Sequence, residues 1–211
     1  MNEFRAVLFD MDGVLIDARE WHYEALNYAL SIFGYSISRE DHINKYNGLS
    51  TKKKLELLTE STNFPLDLYE IIYNVKQNQT LRIAAARCFP IVSIQILLNR
   101  LKIIGIKIGV VTNSISETTR YMLSYSGILE LFDVIVTNED VDNPKPSPDG
   151  YLIAMQKLEV YPNDTLVIED GEYGILAAKR AQVRKIVEVT CPEDVSIELL
   201  MSEIKGLSIE N

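Results

Sequence analysis

The stretch Arg5-Ala6-Val7-Leu8-Phe9-Asp10-Met11-Asp12-Gly13-Val14-Leu15-Ile16-Asp17 decides how the rest of the chain is read. Ala6 to Phe9 is a short, unbroken apolar run, the pattern of a strand buried on both faces of a parallel sheet. It stops at two aspartates one residue apart, followed by a glycine, so the strand delivers carboxylates at its carboxyl end. From Asp17 the period changes. His22, Ala25, Leu26, Ala29, Leu30 and Phe33 fall at three- and four-residue spacing, and Gly34 closes a predicted helix over residues 17–33.

Further helices are expected over 51–59 and 66–79, separated by the break Ser61-Thr62-Asn63-Phe64-Pro65. No strand-like alternation lies between Asp17 and Arg87. Beyond it, strands and helices alternate: helix 91–104, strand 106–111, helix 117–126, strand 134–136, helix 148–158, strand 166–168, helix 173–181, strand 185–189 and a closing helix 193–204. Ser147 is expected to cap the helix that Pro148 begins. The pattern predicts an α/β fold, a doubly wound parallel sheet with helices on both faces, into which an α-helical unit is inserted. The expected division is a core domain of residues 1–16 and 89–211 and a helical cap domain of residues 17–88.

Composition narrows the function. The 211 residues are 47% hydrophobic, 24% charged and 9% aromatic, the make-up of a folded globular protein. Lys and Arg number 21 against 30 Asp and Glu, a formal charge of −9, so a broad nucleic-acid footprint is not expected. An anionic substrate would need a local cation or a metal. Cys88 and Cys191 lie far apart, which suits two thiols in a reducing compartment. No leader-like segment opens the chain, and no window approaches about 18 uninterrupted apolar residues. A cytoplasmic protein with no membrane partner is expected.

Polar clusters follow the predicted strands at the end where open parallel sheets bind ligands. They are Asp10 and Asp12, then Thr112-Asn113-Ser114, then Lys145 between Pro144 and Pro146, then Glu169-Asp170-Gly171. Four acids in one crevice would repel one another, and some would take up protons unless a cation intervened. An all-oxygen donor set suits Mg²⁺. With Lys145, the Thr112 hydroxyl and backbone amides added, the crevice becomes a receptor for a phosphoryl group.

FDMDGVLID (9–17), VVTNS (110–114), NPKPSPD (143–149) and VIEDGEYG (167–174) together resemble the four ordered motifs of the haloacid dehalogenase-like superfamily. The helical insertion is similar in position to the cap of the branch that holds phosphoglycolate phosphatases and β-phosphoglucomutases. The resemblance implies that Asp10 is the nucleophile that becomes an aspartyl-phosphate, and that Asp12 is the acid and base. It implies Thr112 and Lys145 as catalytic groups that hold the transferring oxygens, and Asp10, Asp12 (through its carbonyl), Glu169 and Asp170 as the Mg²⁺ site. Glu169 alternatively caps the helix that follows it.

Asn113, Ser114, His22, Gly48, Ser50 and Lys52 are the implied substrate-binding residues. His22 is read either as a buried, hydrogen-bonded histidine or as a partner of Asp12. Trp21 is read as packing or a hinge contact, and Lys76 as a surface lysine. Lys52-Lys53-Lys54 follows Thr51, near which the mutases carry an arginine; this run is either a solvated helix face or a grip on a second anionic group. Gly171 stands where the fourth motif commonly has serine, and Ile91 where the cap's return commonly has glycine.

The expected activity is hydrolysis of a small phosphorylated metabolite, a sugar phosphate or a phosphoglycolate-like ester, by a monomer or homodimer. A hexose-phosphate mutase and a non-catalytic phosphate- or partner-binding module are the alternatives.

Overall fold

In the computed structural model, which describes residues 4–46 and 48–205, the run Ala6–Phe9 is β1, fully buried and central to a five-stranded sheet. Its neighbours are β2 (Lys107–Val111) and β4 (Thr165–Glu169), with β3 (Val134–Val136) and β5 (Lys185–Glu188) outside them. All pairings are parallel. Phe9 pairs with Val110 on one side and Ile168 on the other, so Asp10, Thr112 and Glu169 leave their strands at nearly one level. The chain moves outward from β1 through β2 and β3, then returns to the other side for β4 and β5. Such a reversal opens a crevice beyond the strand ends.

Alternation divides the core. Val7 and Phe9 pack with Ile108, Val110, Leu166 and Ile168 against α5 (Val92–Ile103), α6 (Ser116–Tyr125) and α9 (Ile197–Lys205). Ala6 and Leu8 point the other way, towards α7 (Asp149–Lys157) and α8 (Glu172–Arg180). Between β1 and β2 run α1 (Arg19–Ser31), α2 (Arg39–Asp41) with the π-helical turn His42–Tyr46, α3 (Thr51–Thr62) and α4 (Tyr69–Arg87). Leu26, Leu30, Leu55, Leu58, Phe64 and Ile72 form a separate apolar cluster there.

Some local expectations are corrected. Ser147 does not cap α7: Pro148 takes that position, and the Ser147 hydroxyl donates to Asp149 Oδ1 at 2.6 Å. The turn at 39–46 escaped prediction because Arg39-Glu40-Asp41-His42 carries no apolar period; the Ser38 hydroxyl caps it by accepting from the Asp41 amide. The closing helix is shorter than expected, because 192–194 is a separate 3₁₀ turn. Trp21 packs, half-buried, against the sheet core.

Among the described residues no single helix is long and apolar enough to cross a membrane. Leu66–Arg87 with Val92–Ile103 would satisfy length and composition only as a pair bent by 95°.

Leu8 is wholly buried at the centre of the sheet. Leu8→Ala is expected to lower stability by about 2–5 kcal/mol, read as a drop in urea midpoint at constant m value. A midpoint within error of the parent would show that this strand does not carry the core.

Candidate active site

The loop after β1 makes the first turn of the site. Gly13 adopts φ +95°, and a Cβ there would sit 2.2 Å from Asp170 Oδ2. Only glycine tolerates both the backbone and the approach, so the β1 loop and the β4 loop close on each other here.

Lys145 binds them together. Its Nζ donates to Asp10 Oδ1 and to Glu169 Oε1, both at 2.6 Å, and lies 5.1 Å over the Tyr151 ring. Burial works against the ammonium, but Asp10 and Glu169 outweigh it and hold its pKa well above the ordinary lysine value. Asp10 moves up as well. Burial is the largest cause; Lys145 opposes it, while Glu169, Asp170 and Asp12 add to it.

Glu169 is the anchor on the other side. Oε1 accepts from Lys145 and from the Tyr151 hydroxyl at 2.9 Å; Oε2 accepts from the Asp170 and Gly171 amides at 3.0 and 3.2 Å. A carboxylate has about four lone-pair directions, and these four bonds use them. Glu169 therefore both steadies the start of α8 and positions Lys145. Gly174 makes room for it, since a Cβ there would lie 1.6 Å from Glu169 Oε1. A Cβ at Gly171 would meet nothing within 4 Å, so the missing serine leaves no steric trace.

Oxygens of Asp10, Glu169 and Asp170 lie within 4.8 Å of one another. Burial, then Glu169, pushes Asp170 up to about 6, against the pull of Arg19, whose guanidinium reaches it at 3.4 Å. Crowded hard oxygen donors that resist ionising together fit a divalent cation, which would relieve their repulsion.

Asp12 points away from this cluster. Its Oδ2 accepts from Ser114 Oγ at 2.8 Å, and its Oδ1 lies 3.1 Å from His22 Nε2. Burial alone would raise its pKa; His22, Ser114 and Lys76 more than offset that and lower it. His22 Nδ1 faces Lys76 Nζ at 3.3 Å. With Lys76 charged, its ammonium donates to Nδ1, and Nε2 carries the proton given to Asp12. Lys76 is thus not the surface lysine expected: it is buried on α4, and burial, then Lys54, brings it down to about 7.

The remaining predicted residues divide. Thr112 is buried, its Oγ1 accepting from the Ser114 amide at 3.0 Å. Asn113 faces backbone: Nδ2 donates to the Gly48 and Lys145 carbonyls at 2.9 and 3.2 Å, and Oδ1 accepts from the Lys145 amide at 2.9 Å. That makes it a brace between the helical insertion and the Lys145 loop. Ser50 caps α3 through the Lys53 amide. Lys52 is exposed at the rim.

All of these residues line one cavity of about 640 Å³ between the sheet and the inserted helices. Tyr151, Arg19 and His42 were not singled out from sequence, and Lys54 was read only as part of the run Lys52-Lys53-Lys54. Tyr151 reads as an ordinary core aromatic and Arg19 as a helix-start charge; only the packing brings them to the site.

A family model described as haloacid dehalogenase-like hydrolase matches residues 7–187. A pyrophosphatase, PpaX, from Oceanobacillus iheyensis is 29% identical over 180 residues, 85% of this chain and 81% of that protein. A phosphorylated carbohydrates phosphatase from Thermotoga maritima is 28% identical over 187 residues, 87% and 84% of the two chains. The crystal structure of a β-phosphoglucomutase from Clostridium difficile superposes with a TM-score of 0.82 at 23% identity, covering 96% of this chain and 98% of that one, which establishes the shared fold.

Lys145→Met leaves two buried carboxylates without their cation. In metal-free buffer it is expected to lose about 3–5 kcal/mol of stability near neutral pH. The loss should shrink as pH falls below neutral, because the folded protein readily accommodates a protonated Asp10. Urea midpoints at neutral and at acidic pH test this; an equal loss at each would contradict the charge argument.

His42 gives a second test. Burial, then Lys54 and His22, lowers its pKa from 6.5 to about 4. The fold thus binds fewer protons there than the unfolded chain, and stability falls as pH drops from 6.5 towards 4. His42→Phe keeps the ring beside Tyr23 and should flatten that part of the stability–pH curve. An unchanged slope would remove His42 as its source.

Proposed function

The chain belongs to the haloacid dehalogenase-like hydrolases, and we propose that it is a Mg²⁺-dependent phosphatase that hydrolyses a small phosphorylated metabolite through an aspartyl-phosphate on Asp10. The observation that carries this reading is the arrangement of Asp10. One oxygen is fixed by Lys145, while the other accepts no hydrogen bond among the described residues and faces the cavity. A carboxylate so oriented is a nucleophile with one free oxygen.

In the first step the free oxygen of Asp10 attacks phosphorus. The ester P–O bond breaks, and the departing alcohol oxygen takes a proton from Asp12. In the second step water attacks the same phosphorus and gives a proton to Asp12, and the bond to Asp10 breaks to release inorganic phosphate. Lys145 and the Thr112 hydroxyl stabilise the charge on the transferring oxygens. Ser114 and His22 hold Asp12 at both oxygens and favour its charged form, the form that accepts a proton from water in the second step.

Asp10, Asp170 and the Asp12 carbonyl would hold Mg²⁺, with Glu169 supporting Lys145 beside them. The ion, when bound, neutralises the carboxylates and the phosphoryl charge. Residues 17–88 act as a cap whose helices exclude water during the first step. Asn113, which reaches Gly48 on that unit, ties the closed arrangement together.

The relatives named as a phosphatase and a pyrophosphatase support hydrolysis, and the former's name supports a phosphorylated carbohydrate as substrate class. The absence of the arginine that the mutases carry near Thr51 favours water over a second sugar hydroxyl as acceptor.

Asp10→Asn is nearly isosteric and removes the nucleophile. Turnover of a panel of phosphate esters is expected to fall by about 10³-fold or more with thermal stability retained. EDTA should abolish turnover in the parent and Mg²⁺ restore it. Parent-like phosphate release by Asp10→Asn would remove the nucleophile assignment, and metal-independent turnover would remove the metal.

A further inference from the structure

Three carboxylates crowd the proposed metal site, and they do not share one counterion. Lys145 Nζ lies 2.6 Å from oxygens of both Asp10 and Glu169. Asp170 draws on a different cation: Arg19 Nη1 reaches its Oδ2 at 3.4 Å. The two cations differ in their access to water. The Lys145 side chain is 6% exposed and that of Arg19 34%. One is enclosed by the site, and the other reaches it from the solvent side.

Arg19 is unfavourably placed for the helix that carries it. It is the first residue of α1, where a positive charge opposes the helix dipole. Ala18, ahead of it, supplies no side-chain cap. The side chain instead folds back onto the sheet domain. Nη2 donates to the Thr190 carbonyl beyond β5 at 3.0 Å, Nε lies 3.5 Å from Asp17 Oδ1, and Nη1 faces Asp170. A Cβ at Gly13 would lie 3.3 Å from Nε, so the β1 loop also passes close to it. The planar fork is therefore held at Thr190 and Asp17 independently of what Asp170 does.

The electrostatics agree with this geometry. Burial and then Glu169 drive the Asp170 pKa up, and of the two cations that oppose them Arg19 acts more strongly than Lys145. In the metal-free protein the guanidinium offsets part of the repulsion among the three acids. A divalent ion held by Asp10 and Asp170 would be a second cation on the same carboxylate, and two like charges on one carboxylate repel each other.

We propose that Arg19 is a tethered counterion of Asp170 that competes with the metal: it steadies the acid cluster in the metal-free protein and weakens the binding of a divalent cation. It acts through Asp170, as a positioning residue, and sets the concentration of divalent cation at which the site fills. This rests on the metal part of the phosphatase reading, and the binding it concerns is measurable without turnover.

The test is a calorimetric titration of the full chain with Mg²⁺, and separately with Mn²⁺. The pH is 8.5, well above the Asp170 pKa of about 6, so that the carboxylate is ionised. Arg19→Met should bind both ions about fivefold or more tighter than the parent. Arg19→Lys keeps the charge without the fork and should stay within about twofold of the parent. Thermal melts give a second readout. In EDTA, Arg19→Met should melt below the parent, because Asp170 has lost its cation. In excess Mg²⁺ that gap should close or reverse, because the tighter-binding variant gains more from the ion.

An arginine kept only for the fold would leave the affinity unchanged and the melting gap the same with and without metal. Parent-like or weaker affinity in Arg19→Met, an equal gain in Arg19→Lys, or a melting gap that Mg²⁺ does not alter would each overturn the role of Arg19 while leaving the metal site standing. No binding of either ion to the parent would remove the metal site, and this role with it.

Discussion

One ammonium between two carboxylates organises this protein. Lys145 sits 2.6 Å from both Asp10 and Glu169 in a place water barely reaches. Remove its charge and the ends of β1 and β4 carry buried anions with no counterion. Its position in turn needs other things to be right. Asn113 holds the backbone of Lys145, Tyr151 orients Glu169, and Gly174 leaves space for the glutamate to lie across the start of α8. Central strand, loop, helix and glycine are thus linked through a few charge-assisted bonds, which are shorter and stronger than neutral ones.

The same arrangement separates two neighbouring aspartates. Asp10 lies in the dry, anionic cluster, and its pKa is driven up by burial and by other acids. Asp12, two residues later, faces the helical side, where His22 and Ser114 favour its charged form. Two carboxylates with environments pulling in opposite directions are suited to different chemical parts, the division that the proposed mechanism uses. The turn through Met11 and Gly13 is what points them apart.

The helical unit contributes the other half of the cavity. His22 and Lys76 reach inward towards Asp12, and Lys54 and His42 stand on the same wall. A sheet wall rich in acids thus faces a helical wall rich in bases across the cavity.

Much of this was legible in the chain alone. The apolar run Ala6–Phe9, the period change after Asp17 and the later alternation specify a parallel sheet and its helices, because buried strands and amphipathic helices impose different spacings on apolar residues. The polar clusters after the strands announce the site, since strand ends in such a sheet face one crevice. Other features depended on the tertiary structure. Whether Lys52 or Lys54 turns inward, whether Lys76 is at the surface, and that Tyr151 and Gly174 serve Glu169 are matters of which atoms meet across residues far apart in sequence. Local spacing encodes the elements, but a buried charge takes its meaning from partners brought to it by packing.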